Sequence, residues 1–373
     1  MSESDRRDFL KTATAGLAVA GALTTATSAY VGHPLTEKEK LARIASNCWP
    51  ARKLFINRNG WTGNAAITDD VKEMREKYGT LTMHDFPQWT KDTYPGVYHM
   101  DLWSSVFGNP EDGDQFVETK YTRDGKTRTY YRWDPSKPAS VKWLEELANI
   151  MVKTGTRCNH ISNNAPQNIA DTDEEKRQEG VRVAKLWMDA GAILGAKTMR
   201  VNTGVSSDGG GRIMPAAEPD PETGYPRNDK IVKYFDQCIK SFRELADYGS
   251  KVGVKITIEN HWGLCASPQN IKIIIDEVNH PFCEATPDFC NWEHEYHLFH
   301  GIDILAPYTH THIHAKYWDR WKTPEKDWND VQRNVRILNA HGYKGIISIE
   351  YEHGPWDDVE GSKWLLNEVL AAM

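Results

Sequence analysis

No run of this chain is apolar for long enough, without interruption, to read as a membrane span. No basic patch stands out either. The 45 Lys and Arg are set against 52 Asp and Glu, a net charge of -7 with both signs interspersed, which argues against nucleic acid as a partner. The six cysteines (48, 158, 238, 265, 283 and 290) form no C-x-x-C pair and show no zinc-finger spacing. Scattered through so long a chain, they read as buried free thiols. No glycine-rich phosphate turn follows the first β-rich run, so the main sign of an open dinucleotide-binding sheet is missing. What is present is ordinary globular composition, 39% hydrophobic and 26% charged over 373 residues. That length suits two average domains or one large α/β barrel.

The first residues read as an address rather than as fold. Arg6-Arg7 lead into Asp8-Phe9-Leu10-Lys11, and an Ala-, Gly- and Thr-rich stretch then runs to Ala29. A charged start, a mild apolar run and small residues at Thr27 and Ala29 describe an export signal. The paired arginines resemble a twin-arginine signal, which implies a periplasmic or exported protein cleaved after Ala29. Residues 1–29 are therefore expected to be removed, and 30–373 to form a single barrel. Export would also permit disulfides.

Short β-rich runs alternate with helical ones. The predicted strands are Arg43–Cys48, Val97–Trp103, Thr156–Ser162, Lys197–Thr203, Val254–Asn260, Cys283–Phe289, Thr311–Lys316 and Gly345–Tyr351. Amphipathic segments lie between them, among them Ser140–Lys153, Glu174–Leu194, Ile231–Lys251 and Trp328–His341. Such alternation argues a parallel sheet, and eight units predict closure into an α/β (β/α)₈ TIM barrel. Side-chain parity agrees. Val254, Ile256 and Ile258 oppose Lys255, Thr257 and Glu259; Ile347 and Ile349 oppose Ser348 and Glu350; Met199 and Val201 oppose Thr198, Arg200 and Asn202. One face packs on helices and the other, polar one points into the barrel. Two insertions are predicted on the C-terminal rim, at 108–135 and 205–229. In the first, Asp124-Gly125 between β-rich arms signals a hairpin. The second is Gly- and Pro-rich without periodicity and reads as a loop.

Glu259, Asp288, His314 and Glu350 fall at or near the C-terminal ends of the fifth to eighth strands, where barrel enzymes keep their chemistry. Three carboxylates and one imidazole make a mostly oxygen site suited to one divalent ion, Mn²⁺, Mg²⁺, Co²⁺ or Zn²⁺. His310 and His312 share the face of His314 and are expected deeper in the barrel, in packing or supporting roles. His294 and His297 flank Glu295 without forming H-E-x-x-H and read as helix surface. His261 and Lys316 flank ligands and are candidates for substrate contact. His160 and Asn202, at the ends of the third and fourth strands, are weaker ones. Trp49 and Trp103, near the first two strand ends, can stack on a sugar ring or fill the core.

Five segments carry a family likeness: Met199-Arg-Val-Asn-Thr-Gly204, Ile258-Glu-Asn-His261, Thr286-Pro-Asp-Phe289, His312-Ile-His-Ala-Lys316 and Gly342-Tyr-Lys-Gly-Ile-Ile-Ser-Ile-Glu-Tyr-Glu352. With them the chain resembles the sugar phosphate isomerase/epimerase superfamily, the xylose isomerase-like barrels, from about residue 41 to its end. The resemblance implies that Glu259, Asp288, His314 and Glu350 hold one divalent metal and that Glu259 and Glu350 also shuttle a proton on a carbohydrate. It implies a substrate-binding role for Arg320, six residues beyond His314. In one respect the chain departs from the family's epimerases: where they often place a substrate-gripping histidine three residues after the metal aspartate, it has Asn291. The expected reaction is isomerisation or epimerisation of a sugar, sugar acid or keto-sugar, with no stable membrane insertion and with homo-oligomers possible. The nearest rival is β-elimination on the same scaffold, a lyase or dehydratase acting on a 3-keto-glycoside. A barrel endonuclease would need a basic face and more histidine ligands. A periplasmic sugar-binding protein would leave three converging carboxylates uncompensated.

Overall fold

All eight β-rich runs are strands in the computed structural model: β1 (Ile44–Asn47), β2 (His99–Trp103), β3 (Arg157–Ser162), β4 (Thr198–Arg200), β5 (Lys255–Ile258), β6 (Cys283–Ala285), β7 (His312–Trp318) and β8 (Ile346–His353). The structure describes residues 34–59, 67–123, 125–206, 211–212, 218–219, 226–227, 232–261, 263–292 and 294–373. The export stretch 1–29 and most of the 205–229 insertion lie outside the described residues. Residues 37–373 form one compact unit.

The strands pair in parallel in the order β6-β5-β4-β3-β2-β1-β8-β7. The two ends of that series meet. Asp288 and His314 form a parallel bridge; His314 N–H donates to Pro287 O at 3.0 Å and Phe289 N–H to His314 O at 3.1 Å. The sheet is thus a closed barrel. β6 is shorter than its sequence suggests because Pro287 has no N–H to donate, and pairing resumes only at Asp288.

Outward side chains of the strands bury against helices. Met199, Val201, Ile256, Ile258, Ile347 and Ile349 are all at most 3% exposed, each contributing roughly 1.5–3 kcal/mol by leaving water. Three of the helices start where an aspartate caps them. Asp173 accepts from Glu175 N and Lys176 N before Glu174–Ile193, and Asp330 from Arg333 N before Val331–Ala340. All six cysteines are free and buried. Among the described residues no helix is long and apolar enough to cross a membrane.

The first insertion is the hairpin its turn predicts. Phe116–Arg123 pairs antiparallel with Lys126–Trp133, with Arg123 and Lys126 as the last register pair. Gly125 there has φ 71°, the left-handed region that favours glycine. Phe116 and Trp133 anchor the base of the hairpin in the core, and the Asn59 side chain exchanges hydrogen bonds of 2.6 and 2.8 Å with the Tyr131 backbone. Of the second insertion, the described residues include two short antiparallel pairings, 205–206 with 211–212 and 218–219 with 226–227.

Candidate active site and metal centre

The barrel interior is built in polar layers. In the lowest, His160 Nδ1 lies 2.8 Å from Thr198 Oγ1, and its ring stacks on His312 at 4.2 Å. Asn159 Nδ2 donates to His312 Nδ1 at 2.9 Å. Two consecutive residues of β3, Asn159 and His160, therefore reach one imidazole. They can do so because the β2–β3 register shifts between Met100 and Asp101, a bulge that re-aims side chains.

Asp101 is the next layer. Its Oδ2 accepts from His314 Nε2 (2.8 Å), Ser348 Oγ (2.9 Å), Asn47 Nδ2 (3.0 Å) and His312 Nε2 (3.1 Å). Ser162 Oγ donates to Oδ1 at 2.8 Å. Burial pushes this carboxyl up, but the surrounding imidazoles and donors outweigh burial and hold it well below the usual range.

Above Asp101 stand the four residues expected to hold a metal. The donor atoms of Glu259, Asp288 and His314 lie within 4.8 Å of one another. His314 Nδ1 is 3.1 Å from Glu259 Oε2 and 3.8 Å from Glu350 Oε2, yet it makes no well-directed hydrogen bond. All four residues are at most 7% exposed. Two buried cations accompany them. Arg200 Nη1 pairs with Glu259 Oε2 at 2.6 Å, and Lys316 Nζ with Glu350 Oε1 at 2.8 Å and Glu352 Oε2 at 2.5 Å. Asn291 braces the carboxylates, its Nδ2 lying 2.9 Å from Asp288 Oδ2 and 3.4 Å from Glu259 Oε1. Burial pushes the Asp288 carboxyl up, helped by Glu350 and Glu259, to about 8. Burial also acts on Glu259, but Arg200 and His314 outweigh it and keep that group well below its usual range.

A divalent ion fits this donor set. With every carboxyl ionised, five carboxylates (Asp101, Glu259, Asp288, Glu350 and Glu352) face two permanent cations, Arg200 and Lys316. Without an ion that excess is met by protons, which is why Asp288 is pushed up and, against burial, the neighbouring carboxylates hold His314 well above its usual range. Uncompensated buried charge is costly, and an ion would offset most of the excess. The buried, undirected His314 Nδ1 would supply the nitrogen ligand. Donors within 4.8 Å of one another can be drawn onto a common ion at about 2.0–2.6 Å.

The centre opens upward into a cavity of about 430 Å³, where Trp49, Trp103 and Trp318 form the aromatic wall and Lys316, Arg320 and Glu352 the charged one. Trp49 and Trp103 meet edge to face at 4.9 Å, and the Arg320 guanidinium lies 4.7 Å over the Trp318 ring. His261 and Asn291 also line the cavity. His160 does not: it is fully buried in the lowest layer. Asn202 is buried away from the cavity lining as well. The short strand β4 ends at Arg200, and Arg200 rather than Asn202 reaches the centre. His312 lies beneath His314 as expected, but His310 is exposed ahead of β7 rather than inside the barrel. His294 is exposed before the helix His297–Leu305, and His297 opens that helix half-buried. Reading by residue type passed over Asp101, Asn47, Ser162, Trp318 and Glu352. Parity along His99–Trp103 could have found Asp101, which alternates with the outward Met100 and Leu102.

A closed eight-stranded parallel barrel, with an acidic, imidazole-containing centre at its C-terminal rim, places the chain among the (β/α)₈ barrels. More narrowly, residues 112–368 match the model of the xylose isomerase-like TIM barrel, and the chain belongs to that family. No curated protein sequence matches it. Solved structures resemble it at low identity. A xylose isomerase-like TIM barrel protein from Mycobacterium smegmatis, in complex with magnesium, is 16% identical with a TM-score of 0.54, covering 90% of this chain and 98% of that one. The 3-keto-D-glucoside 4-epimerase from E. coli is 14% identical with a TM-score of 0.50, covering 87% and 99%. A xylose isomerase domain protein from Planctomyces limnophilus is 11% identical with a TM-score of 0.51, covering 89% and 97%.

Proposed function

We propose that this chain is a divalent-metal-dependent isomerase or epimerase that moves a proton beside the carbonyl of a sugar or keto-sugar. The observation that carries the reading is the convergence of Glu259, Asp288, His314 and Glu350 beneath a tryptophan-walled cavity, with His314 Nδ1 buried and lacking a directed hydrogen bond. Magnesium in the Mycobacterium smegmatis barrel and the keto-sugar chemistry of the E. coli epimerase support it.

A bound ion would supply Lewis acidity to a carbonyl and its neighbouring hydroxyl, making the carbon between them easier to deprotonate. The chain's own groups do the rest. Glu259 Oε2 is committed to Arg200, which leaves Oε1, held only weakly by Asn291, to take or return a proton. Glu350 approaches from β8, three strands from β5 around the ring, so two carboxylates can serve different faces of one carbon. Lys316 and Arg320 line the cavity and can meet negative charge growing on a substrate oxygen. The tryptophans offer flat apolar faces to a sugar ring and keep water off the reacting carbon. We further propose that residues 1–29 direct export, so that the substrate is an unphosphorylated sugar outside the cytoplasm.

The test incubates manganese-loaded protein with sugars and 3-keto-glycosides in D₂O and follows mass and stereochemistry. Isomerisation or epimerisation gives a product of unchanged composition carrying one solvent deuterium. A product lighter by its leaving group would replace this reading with elimination. No exchange on any substrate, with the ion bound, would refute proton transfer.

A further inference from the structure

Asp101 belongs to no predicted site, sits on β2 far in sequence from the other groups, and is out of reach of the cavity. Yet every layer of the interior converges on it. We infer that Asp101 is a positioning residue: it fixes the ring of His314 so that Nδ1, and not Nε2, faces Glu259, Asp288 and Glu350. The inference rests on the proposed metal centre.

The hydrogen-bond directions leave one arrangement. A carboxylate only accepts, so the 2.8 Å contact requires a proton on His314 Nε2. Asn159 Nδ2 donates to His312 Nδ1, so His312 must also present Nε2–H to Asp101. Asn47 and Ser348 complete four donors on Oδ2, and Ser162 satisfies Oδ1. Ser162 Oγ also lies 3.4 Å from His314 Nε2, but its own proton goes to Oδ1, so that contact too needs Nε2–H and leaves the ring orientation the same. His314, locked at Nε2, is left with Nδ1 aimed at the carboxylates. Outer hydrogen bonds of this kind orient metal-bound imidazoles and raise their basicity, and losing one typically weakens metal affinity by about 10–100-fold.

The donor atoms of Asp101, His160, His312 and His314 also lie within 4.8 Å of one another, and His160 Nε2 is buried without a partner. That raises a second reading, a deeper ion bound by Asp101 itself. The four donors already on Oδ2 argue against it, since such an ion would have to displace at least two imidazole protons.

Asp101→Asn tests the inference. An asparagine oxygen cannot take four donors, and its amide would face N–H groups with another N–H group. Calorimetry with Mn²⁺ should show affinity about 10–100-fold weaker than wild type at one ion per chain. Proton-detected NMR of ¹⁵N-histidine-labelled wild type, metal-free and zinc-loaded, should show a slowly exchanging His314 Nε2–H that Asp101→Asn loses. That signal is read on wild type without metal, so it tests Asp101 even if the variant does not fold or no ion binds. Wild type that binds no ion yet shows the Nε2–H sinks the metal centre and leaves the positioning role standing. An unprotonated Nε2 in wild type, affinity within twofold of wild type in Asp101→Asn, or a second ion that disappears with Asp101 each overturn the inference.

Discussion

Glu259 and Glu350 look equivalent in sequence, each closing a strand with a carboxylate, but the structure makes their loss unequal. Arg200 has a side chain only 7% exposed, and Glu259 is the one carboxylate it meets among the described residues. Its remaining partners, Asn164 Oδ1 at 2.7 Å and Asn163 O at 3.3 Å, are neutral. Glu259→Gln therefore breaks the one direct ion pair of a buried guanidinium and leaves only the more distant charges of Glu350 and Asp101 to offset it, which costs about 3–5 kcal/mol. Glu350→Gln removes one of three carboxylates near Lys316, which keeps Glu352 at 2.5 Å and Asp288 at 3.9 Å. Only a hydrogen bond to charge changes quality there, a cost of about 1 kcal/mol. At about 2.1 cal/mol/K per residue, the unfolding entropy of a unit this size converts these costs to Tm losses of about 4–7 °C and about 1–2 °C. Scanning calorimetry of both variants after treatment with EDTA, so that bound metal does not intervene, measures the difference directly. Equal losses, or a larger loss in Glu350→Gln, would show that the ion pairs at this centre do not hold the fold as argued.

Because Glu350→Gln keeps Lys316 paired, it is also the cleaner test of chemistry: with metal occupancy matched to wild type, turnover on a confirmed substrate should fall by about 10²–10⁴-fold, and near-normal turnover would remove Glu350 from proton transfer. His99 gives a pH dependence. Burial pushes its imidazole down to about 4, and its Nδ1 is buried without a partner. The unfolded chain, near pH 6.5, takes up the proton first, so His99 costs stability as pH falls below 6.5 and the loss levels off below about 4. Allowing for its partial exposure, the loss at pH 5 is about 1 kcal/mol; the Tm of wild type should fall relative to that of His99→Gln as pH is lowered, and parallel curves would count against the assignment. Protein recovered from its native host should begin near Tyr30 on N-terminal sequencing, whereas an intact Met1 would sink the export signal.

The architecture was legible because each strand states its two faces in its own residues. Ile256 and Ile258 opposite Thr257 and Glu259, or Ile347 and Ile349 opposite Ser348 and Glu350, need no partner strand to be read, and both sets fall as parity says. The hairpin was legible for a similar local reason, since Asp124-Gly125 fixes a two-residue turn wherever the arms lie. His160 and Asn202 were misplaced because strand ends are set by neighbours rather than by propensity. β4 stops at Arg200, and the bulge beside Asp101 turns both Asn159 and His160 inward at the barrel floor.

What stayed hidden is the set of residues whose role exists only through another residue. Asp101 has no ligand spacing to betray it; it is separated by 213 positions from the imidazole it holds, and only closure of the barrel brings them together. The same holds for the pairing of Arg200 with Glu259 and of Lys316 with Glu350 and Glu352: the sequence offers Arg200 as a polar inward residue and Lys316 as a candidate for substrate contact, and neither as a counter-charge. In the folded chain they partly balance a centre with more carboxylates than protein cations can satisfy. That surplus is the strongest physical reason to place a divalent ion here. A barrel holding only ion pairs would have matched its charges, whereas this one, without an ion, must hold extra protons on Asp288 and His314, at the place where the open cavity already meets them.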